Sequence, residues 1–279
     1  MTILETRNLS FWYEKDSPVI RGINIKVEKG SFVGLLGANG CGKTTLIQHL
    51  NGLLTPRGGE VLFNGVNLKK LKDKEIFSNI GLVFQNPDDQ LIAFTVYEDI
   101  AYGVKNLGIT GVELEERVQD ALRLLDILDI KDREVHKLSF GQKKRTAIAG
   151  ILAMKPRVLM LDEPTAGLDP MTASRLMKSL KNIGETEGIT IIAATHEVDF
   201  VPVYCDYVYV MHEGSISLEG VPESVFMKRD ILRSCSLRIP RVSHLFEILN
   251  EKDNIRIDSP VVTISGARRA IKKHFKLAK

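Results

Sequence analysis

Only three cysteines, Cys41, Cys205 and Cys235, occur in the 279 residues, and none stands in C-x-x-C spacing. That odd, unpatterned set excludes a disulfide framework and reads as free thiols in a reducing compartment. Long hydrophobic runs are missing too: no apolar stretch approaches the roughly 18 residues of a membrane-crossing helix. The start of the chain, MTILETRNLSFWY, lacks the charged, apolar and small-residue regions of a secretory signal. Any membrane role is therefore expected to come through a partner. Charge of one sign is equally scarce. The net +3 gives no case for nucleic acid as a partner. With no internal repeat and no low-complexity tract, the chain reads as a globular protein large enough for a sizeable core and a small appendage.

The informative stretch is 32–51. An apolar run, Phe32 to Leu36, reads as a short buried strand, and Leu46, Ile47 and Leu50 mark a helix that stops before Gly52. Between them Gly37, Ala38, Asn39, Gly40, Cys41, Gly42, Lys43 and Thr44 fit G-x-x-x-x-G-K-[ST], followed by Thr45. Phosphate oxygens need several donors on a concave surface. Glycines let successive backbone N–H groups point inward, and the helix N-terminus adds partial positive charge. On this reading Lys43 reaches the β- and γ-phosphates and the Thr44 hydroxyl ligates Mg²⁺.

Strands are expected at 2–9, 20–27 and 60–64, the last closed by an Asn64-Gly65 hairpin turn; 67–75 reads as polar surface. Ile80 to Phe84 is an apolar strand broken by Gln85 to Gln90, and a glutamine at such a strand end can touch Mg²⁺ or a water. Thr95 and Glu98 form a capping box for a helix to about Asn106, and a second helix is expected over 113–128 with Leu114, Val118, Ala121, Leu122 and Leu125 on one face. Residues 95–155 thus read as a helical lobe inserted between strands. Ser139 and Gln142 form another capping box, opening a helix to about Met154. A free Ser139 hydroxyl and Gly141 make that helix start a second candidate phosphate site, with Lys143, Lys144 and Arg145 adding positive charge in the first turn.

Arg157 to Leu161 is a buried strand ending in Asp162-Glu163. Alone, such acids are ordinary solvated groups. In a chain with a phosphate loop they read as a Mg²⁺-holding Asp162 and a Glu163 that activates the attacking water. Ile189 to Ala194 is a further strand, and His196 just past it is placed for γ-phosphate contact. Residues 206–211 and 215–218 close a hairpin. From Pro222 short helices are expected, broken at Pro240, with Leu237, Ile239, Val242, Leu245, Phe246, Ile248 and Leu249 apolar. The basic segment 266–279 reads as a solvated terminal helix ahead of an acidic-partner or lipid contact.

Together these pieces resemble the nucleotide-binding subunit of an ABC transporter over residues 2–220. Gly37–Thr44 looks like Walker A, Gln85 the Q-loop glutamine, Leu138–Gln142 the family signature, Asp162 and Glu163 Walker B, Ala166–Asp169 the D-loop and His196 the switch histidine. Tyr13 then matches the aromatic that stacks on adenine. Phe140 departs from the pattern, standing where the family usually has glycine. The stretches 84–90, 142–145 and 147–154 resemble the ATPases of energy-coupling-factor importers, including the cobalt-import type. The resemblance implies an α/β P-loop ATPase core (1–220) with an antiparallel β-subdomain and the helical lobe, and a C-terminal extension (221–279) for regulation or dimerisation. It implies ATP and Mg²⁺, bound by Tyr13, Gly37–Thr45 and Gln85, with Lys43, Glu163 and His196 catalytic and Thr44, Gln85 and Asp162 at the metal. Ser139, Gly141 and Gln142 would act from a facing ATPase subunit. The implied partners are that subunit, a transmembrane coupling protein and a small membrane capture subunit for a vitamin, cobalt or nickel. An ATPase of an ordinary ABC transporter, a soluble ABC ATPase and a small-molecule kinase are the competing readings. A soluble ABC ATPase would call for a coiled-coil insertion or a second cassette, which this chain lacks, and a kinase would lack the signature and the helical lobe that it has. Cys41 in the phosphate loop is expected to be open to alkylation.

Overall fold

The computed structural model describes residues 1–15, 17–253, 255, 257 and 261–275. In chain order its elements are β1 (Thr2–Trp12), β2 (Pro18–Glu28), β3 (Phe32–Gly37), α1 (Lys43–Leu50), β4 (Gly58–Phe63), β5 (Val66–Asn67), α2 (Asp73–Asn79), β6 (Ile80–Val83), α3 (Val96–Asn106), α4 (Gly111–Leu124), α5 (Phe140–Ala153), β7 (Val158–Asp162), α6 (Pro170–Glu187), β8 (Thr190–Thr195), α7 (Val201–Tyr204), β9 (Tyr207–His212) and β10 (Ser215–Gly220). The helices α8 (Pro222–Phe226), α9 (Arg229–Ser234), α10 (Arg241–Lys252) and α11 (Ile264–His274) follow.

Two kinds of strand make two sheets. β2 alternates buried and exposed residues along most of its length, the pattern of a strand with one wet face, and it lies in the antiparallel sheet β2-β1-β4-β5. β3, β6, β7 and β8 are buried at every position, which only a sheet covered on both faces permits. They form the parallel heart of the sheet β10-β9-β3-β8-β7-β6, edged by the antiparallel β10. One apolar core, including Ile23, Val27, Leu46 and Leu50, fills the space between the sheets around α1. The other lies under α3, α4, α5 and α6 and takes in Val225, Phe226 and Leu232 from α8 and α9. Phe246, Val261, Ala267 and Ala270 close a separate cluster between α10 and α11.

The topology lines up the C-terminal ends of β3, β8, β7 and β6 along one edge, with Leu36 beside Thr195, Ala194 beside Asp162 and Leu161 beside Val83. In parallel α/β sheets ligands bind at that edge.

Several expectations need correction. Residues 67–75 are not plain surface: Leu68 is buried, and α2 begins inside the stretch and buries Ile76. A single inward residue leaves no apolar stripe to detect. The helix expected over 113–128 ends at Leu124, because Asp126 adopts a left-handed backbone (φ 53°) that stops it. Leu245 is exposed rather than part of the C-terminal apolar set. The basic terminal helix is present as α11, while residues 276–279 of that expectation lie outside the described residues. Among the described residues no helix is long and apolar enough to cross a membrane.

Candidate functional site

The loop between β3 and α1 is shaped by glycine. Gly42 caps α1 at φ 105°, and a Cβ there would lie 2.8 Å from Met211 Cε and 3.0 Å from the Val19 carbonyl oxygen. No side chain caps this helix, so its first-turn N–H groups stay available to an anion. Lys43 is buried and its ammonium folds back over the loop. It donates to the carbonyls of Gly37 (2.8 Å) and Ala38 (3.2 Å) and stands 3.6 Å from Glu163 Oε1. The Thr44 hydroxyl donates to Asp162 Oδ2 at 2.6 Å. Tyr13, exposed and set edge-on to Phe11, brings its hydroxyl to 3.4 Å from Thr45 Oγ1. Cys41 does not present its thiol: the sulfur is buried against Gly37 within the inter-sheet core, and burial pushes its pKa up. The expected alkylation therefore has no accessible target in this conformation.

Two strands away, Asp162 is buried with Oδ1 lacking any hydrogen-bond partner. Burial raises its pKa against the Thr44 hydrogen bond, and the neighbouring Glu163 charge pushes the same way. Glu163 has φ 45°, and its N–H donates to the Ala194 carbonyl at 2.9 Å. Its carboxylate accepts from Thr195 Oγ1 at 3.2 Å and from His196 Nδ1–H at 2.9 Å. As an acceptor-only carboxylate it fixes which ring nitrogen of His196 carries the proton.

Gln85, past β6, has an exposed side chain; the part it contributes inward is its carbonyl. Lys144 is fully buried and donates to that carbonyl at 2.6 Å and to the Glu163 carbonyl at 3.1 Å. Burial depresses its pKa to about 8, with the charges of Asp162 and Glu163 opposing the drop. The three cations expected to add positive charge in the first turn of α5 are each engaged within the chain. Lys144 points inward, Lys143 pairs with Asp88 at 2.6 Å, and Arg145 donates to the Asp126 carbonyl at 3.0 Å.

Ser139 and Gln142 form the expected reciprocal capping box on α5. The hydroxyl is thus not free: it accepts from the Gln142 N–H at 3.3 Å and keeps only its proton to donate. No hydrogen bond among the described residues joins 139–142 to the 37–45 loop. The structure unites Lys43, Thr44, Asp162, Glu163 and His196 along one sheet edge, while Ser139, Gly141 and Gln142 share no hydrogen bond with them among the described residues. Sequence reasoning missed Thr195, Lys144 and Gln90. The Gln90 side chain accepts from the Phe84 N–H (3.0 Å) and donates to the Ala147 carbonyl (3.2 Å). Only Thr195, at a strand end beside His196, carried a readable signal.

The ABC transporter family profile matches residues 20–166. The chain is 52% identical to the energy-coupling factor transporter ATP-binding protein EcfA of Methanocaldococcus jannaschii, across 99% of each chain. It is 45% identical to cbiO1 of Clostridium perfringens, described as part of the ABC transporter complex cbiONQ, with a TM-score of 0.78 over 88% of this chain and 99% of that one. A dimeric ATP-binding cassette bound to ADP and phosphate in a post-hydrolysis state aligns at 25% identity and a TM-score of 0.71, over 79% of this chain and 99% of its own. A phosphate loop, paired acids and a histidine on one parallel-sheet edge, in a chain alike to these relatives over nearly its whole length, place it in the ABC transporter family as an ATP-hydrolysing subunit of the energy-coupling-factor type.

Proposed function

We propose that this ATPase energises an importer whose cargo is a vitamin or a transition-metal ion, cobalt and nickel being the candidates, and that it works as a head-to-tail pair with a second ATPase subunit. The observation that carries the catalytic half is the Glu163 carboxylate, fixed at a strand end by Thr195 and His196 with Lys43 3.6 Å away. The backbone of Gly37–Gly42 and the open N-terminus of α1 cradle the phosphates, Lys43 moves from the loop carbonyls onto them, and Tyr13 packs against the base. Thr44 and Asp162 would hold Mg²⁺, with Gln85 as a further oxygen donor; the partnerless Oδ1 of Asp162 and the hard oxygen donors fit it. When bound, the ion neutralises charge on the β- and γ-phosphates. Glu163 accepts the proton of the attacking water, and His196 orients that carboxylate and meets the developing charge. Ser139, Gly141 and Gln142, which share no hydrogen bond with the loop of their own chain among the described residues, complete the site of the facing subunit. Residues 1–220 form the ATPase unit and 221–279 an extension for regulation or dimerisation.

Partners in the membrane are inferred from the multicomponent complex to which the Clostridium neighbour belongs and from exposed apolar side chains. Ile92, Phe94 and Tyr102, on the loop into α3 and on α3, are 65%, 64% and 49% exposed. The occupant assigned to them is a cytoplasmic helix of a multispanning coupling protein. The test is purification of the tagged Glu163→Gln chain from detergent-solubilised native membranes with ATP present. The expected result is an ATP-stable pair with negligible turnover, carrying a multispanning protein and a small capture subunit that names the cargo. Unimpaired hydrolysis would remove Glu163 as the base, and recovery without any membrane protein would remove the importer reading.

A further inference from the structure

A lysine with no solvent contact is costly unless its charge is met. Lys144 is among the largest fully buried side chains of the described residues, yet no carboxylate lies within ion-pair distance of it among them. Instead its ammonium spans two main-chain carbonyls, those of Gln85 and Glu163. These residues leave adjacent parallel strands, β6 and β7, whose ends are in register. The lysine itself comes from the first turns of α5, in the helical lobe. One side chain thereby joins three separate parts of the fold.

The Glu163 end of this link has the greatest leverage. Its φ of 45° is a backbone state that non-glycine residues hold only when their surroundings impose it. Two contacts impose it here: the N–H donates to Ala194 on β8, and the carbonyl accepts from Lys144. With the peptide groups held from both sides, the carboxylate is aimed at Thr195 and His196. The aromatic ring of Phe140 closes the other side, 5.8 Å from the ammonium. That ring also fills the space beside Gly167, where a Cβ would lie 2.7 Å from it. The departure at Phe140 thus shields Lys144 beneath the 166–169 turn.

We infer that Lys144 is a positioning residue for hydrolysis: it holds the backbone of Glu163 in its working conformation and makes that conformation depend on how α5 and the Gln85 loop sit against the sheet. This rests on Glu163 as the group that activates water, so the two ideas are tested separately. Steady-state ATPase of the full chain with Mg²⁺-ATP is measured for K144M, K144Q, E163Q and K144M/E163Q, with thermal midpoints and ATP affinity alongside. K144M keeps length but no donor and is expected to lower kcat about tenfold or more, with KM within roughly threefold of the parent. K144Q, which offers an amide donor, recovers part of that loss. In the E163Q background K144M adds little, since the group it positions is already gone. An unchanged kcat in K144M overturns the inference. So does a loss confined to ATP affinity or thermal midpoint, or a full additional loss in the double variant. Should K144M fail to fold, K144Q decides: a reduced kcat at unchanged KM supports positioning, and parental kcat overturns it. Normal turnover in E163Q alone would dismiss Glu163 as the base irrespective of any Lys144 result.

Discussion

The two helix starts read from the sequence as phosphate-binding ends, at α1 and at α5, are built in opposite ways. α1 has no side-chain cap, is preceded by a left-handed glycine, and has a lysine folded over the loop before it. Its geometry is local and its donors remain open. α5 is closed by a reciprocal capping box and held to the loop after β6 by Lys143–Asp88, Lys144–Gln85 and Gln90–Ala147. Its geometry is borrowed from elsewhere in the chain. The first has the form that the proposed anion cradle needs. The second is a well-anchored helix end with one hydroxyl proton to offer, which makes sense as the complementary half of another molecule's site.

Three substitutions press on this contrast. The largest effect belongs to Gly42→Ala, because the new Cβ meets Met211 and the Val19 carbonyl at a φ of 105°. The resulting strain of about 2–3 kcal/mol should weaken ATP binding by roughly 30- to 150-fold, read by calorimetry. Binding within about twofold of the parent would show that the cradle is not set by this glycine. Ser139→Ala removes the α5 cap and should cost about 1 kcal/mol of stability, seen as a lower denaturation midpoint. ATP affinity of the single chain should stay unchanged, while the ATP-stabilised pair formed in the Glu163→Gln background should be lost. Weakened binding in the single chain would erase the distinction between the two ends. Smallest is Lys143→Ala. Lys143 is 18% and Asp88 55% exposed, so the pair should contribute about 0.5 kcal/mol. A double-mutant cycle with Asp88→Ala measures it, and a coupling of zero would leave Lys144 and Gln90 as the only ties.

The same contrast explains what could be read in advance. The phosphate loop, Asp162, Glu163 and His196 were legible because each follows an apolar run that must be a buried strand, and parallel strands place such ends side by side. Lys144 was not legible. A charged residue in the first turns of a helix reads as surface, and only the packing of α5 across β6 and β7 turns it inward. Gln90 was hidden in a polar loop for the same reason, its partners being Phe84 and Ala147. Cys41 shows the converse: its place in the loop suggested chemistry, while the sheet behind it takes the thiol as core.

The three ties between the 85–90 loop and α5 also carry a thermodynamic obligation. The loop leads directly to Ile92 and Phe94, and Lys144 leads to Glu163. Events at the apolar face and at the nucleotide edge therefore share one set of contacts. Coupling of this kind is reciprocal in free energy. If ATP binding changes the grip of a membrane partner on that face by some factor, the partner changes the affinity for ATP by the same factor. Titrating either ligand against the other then measures one quantity from both ends.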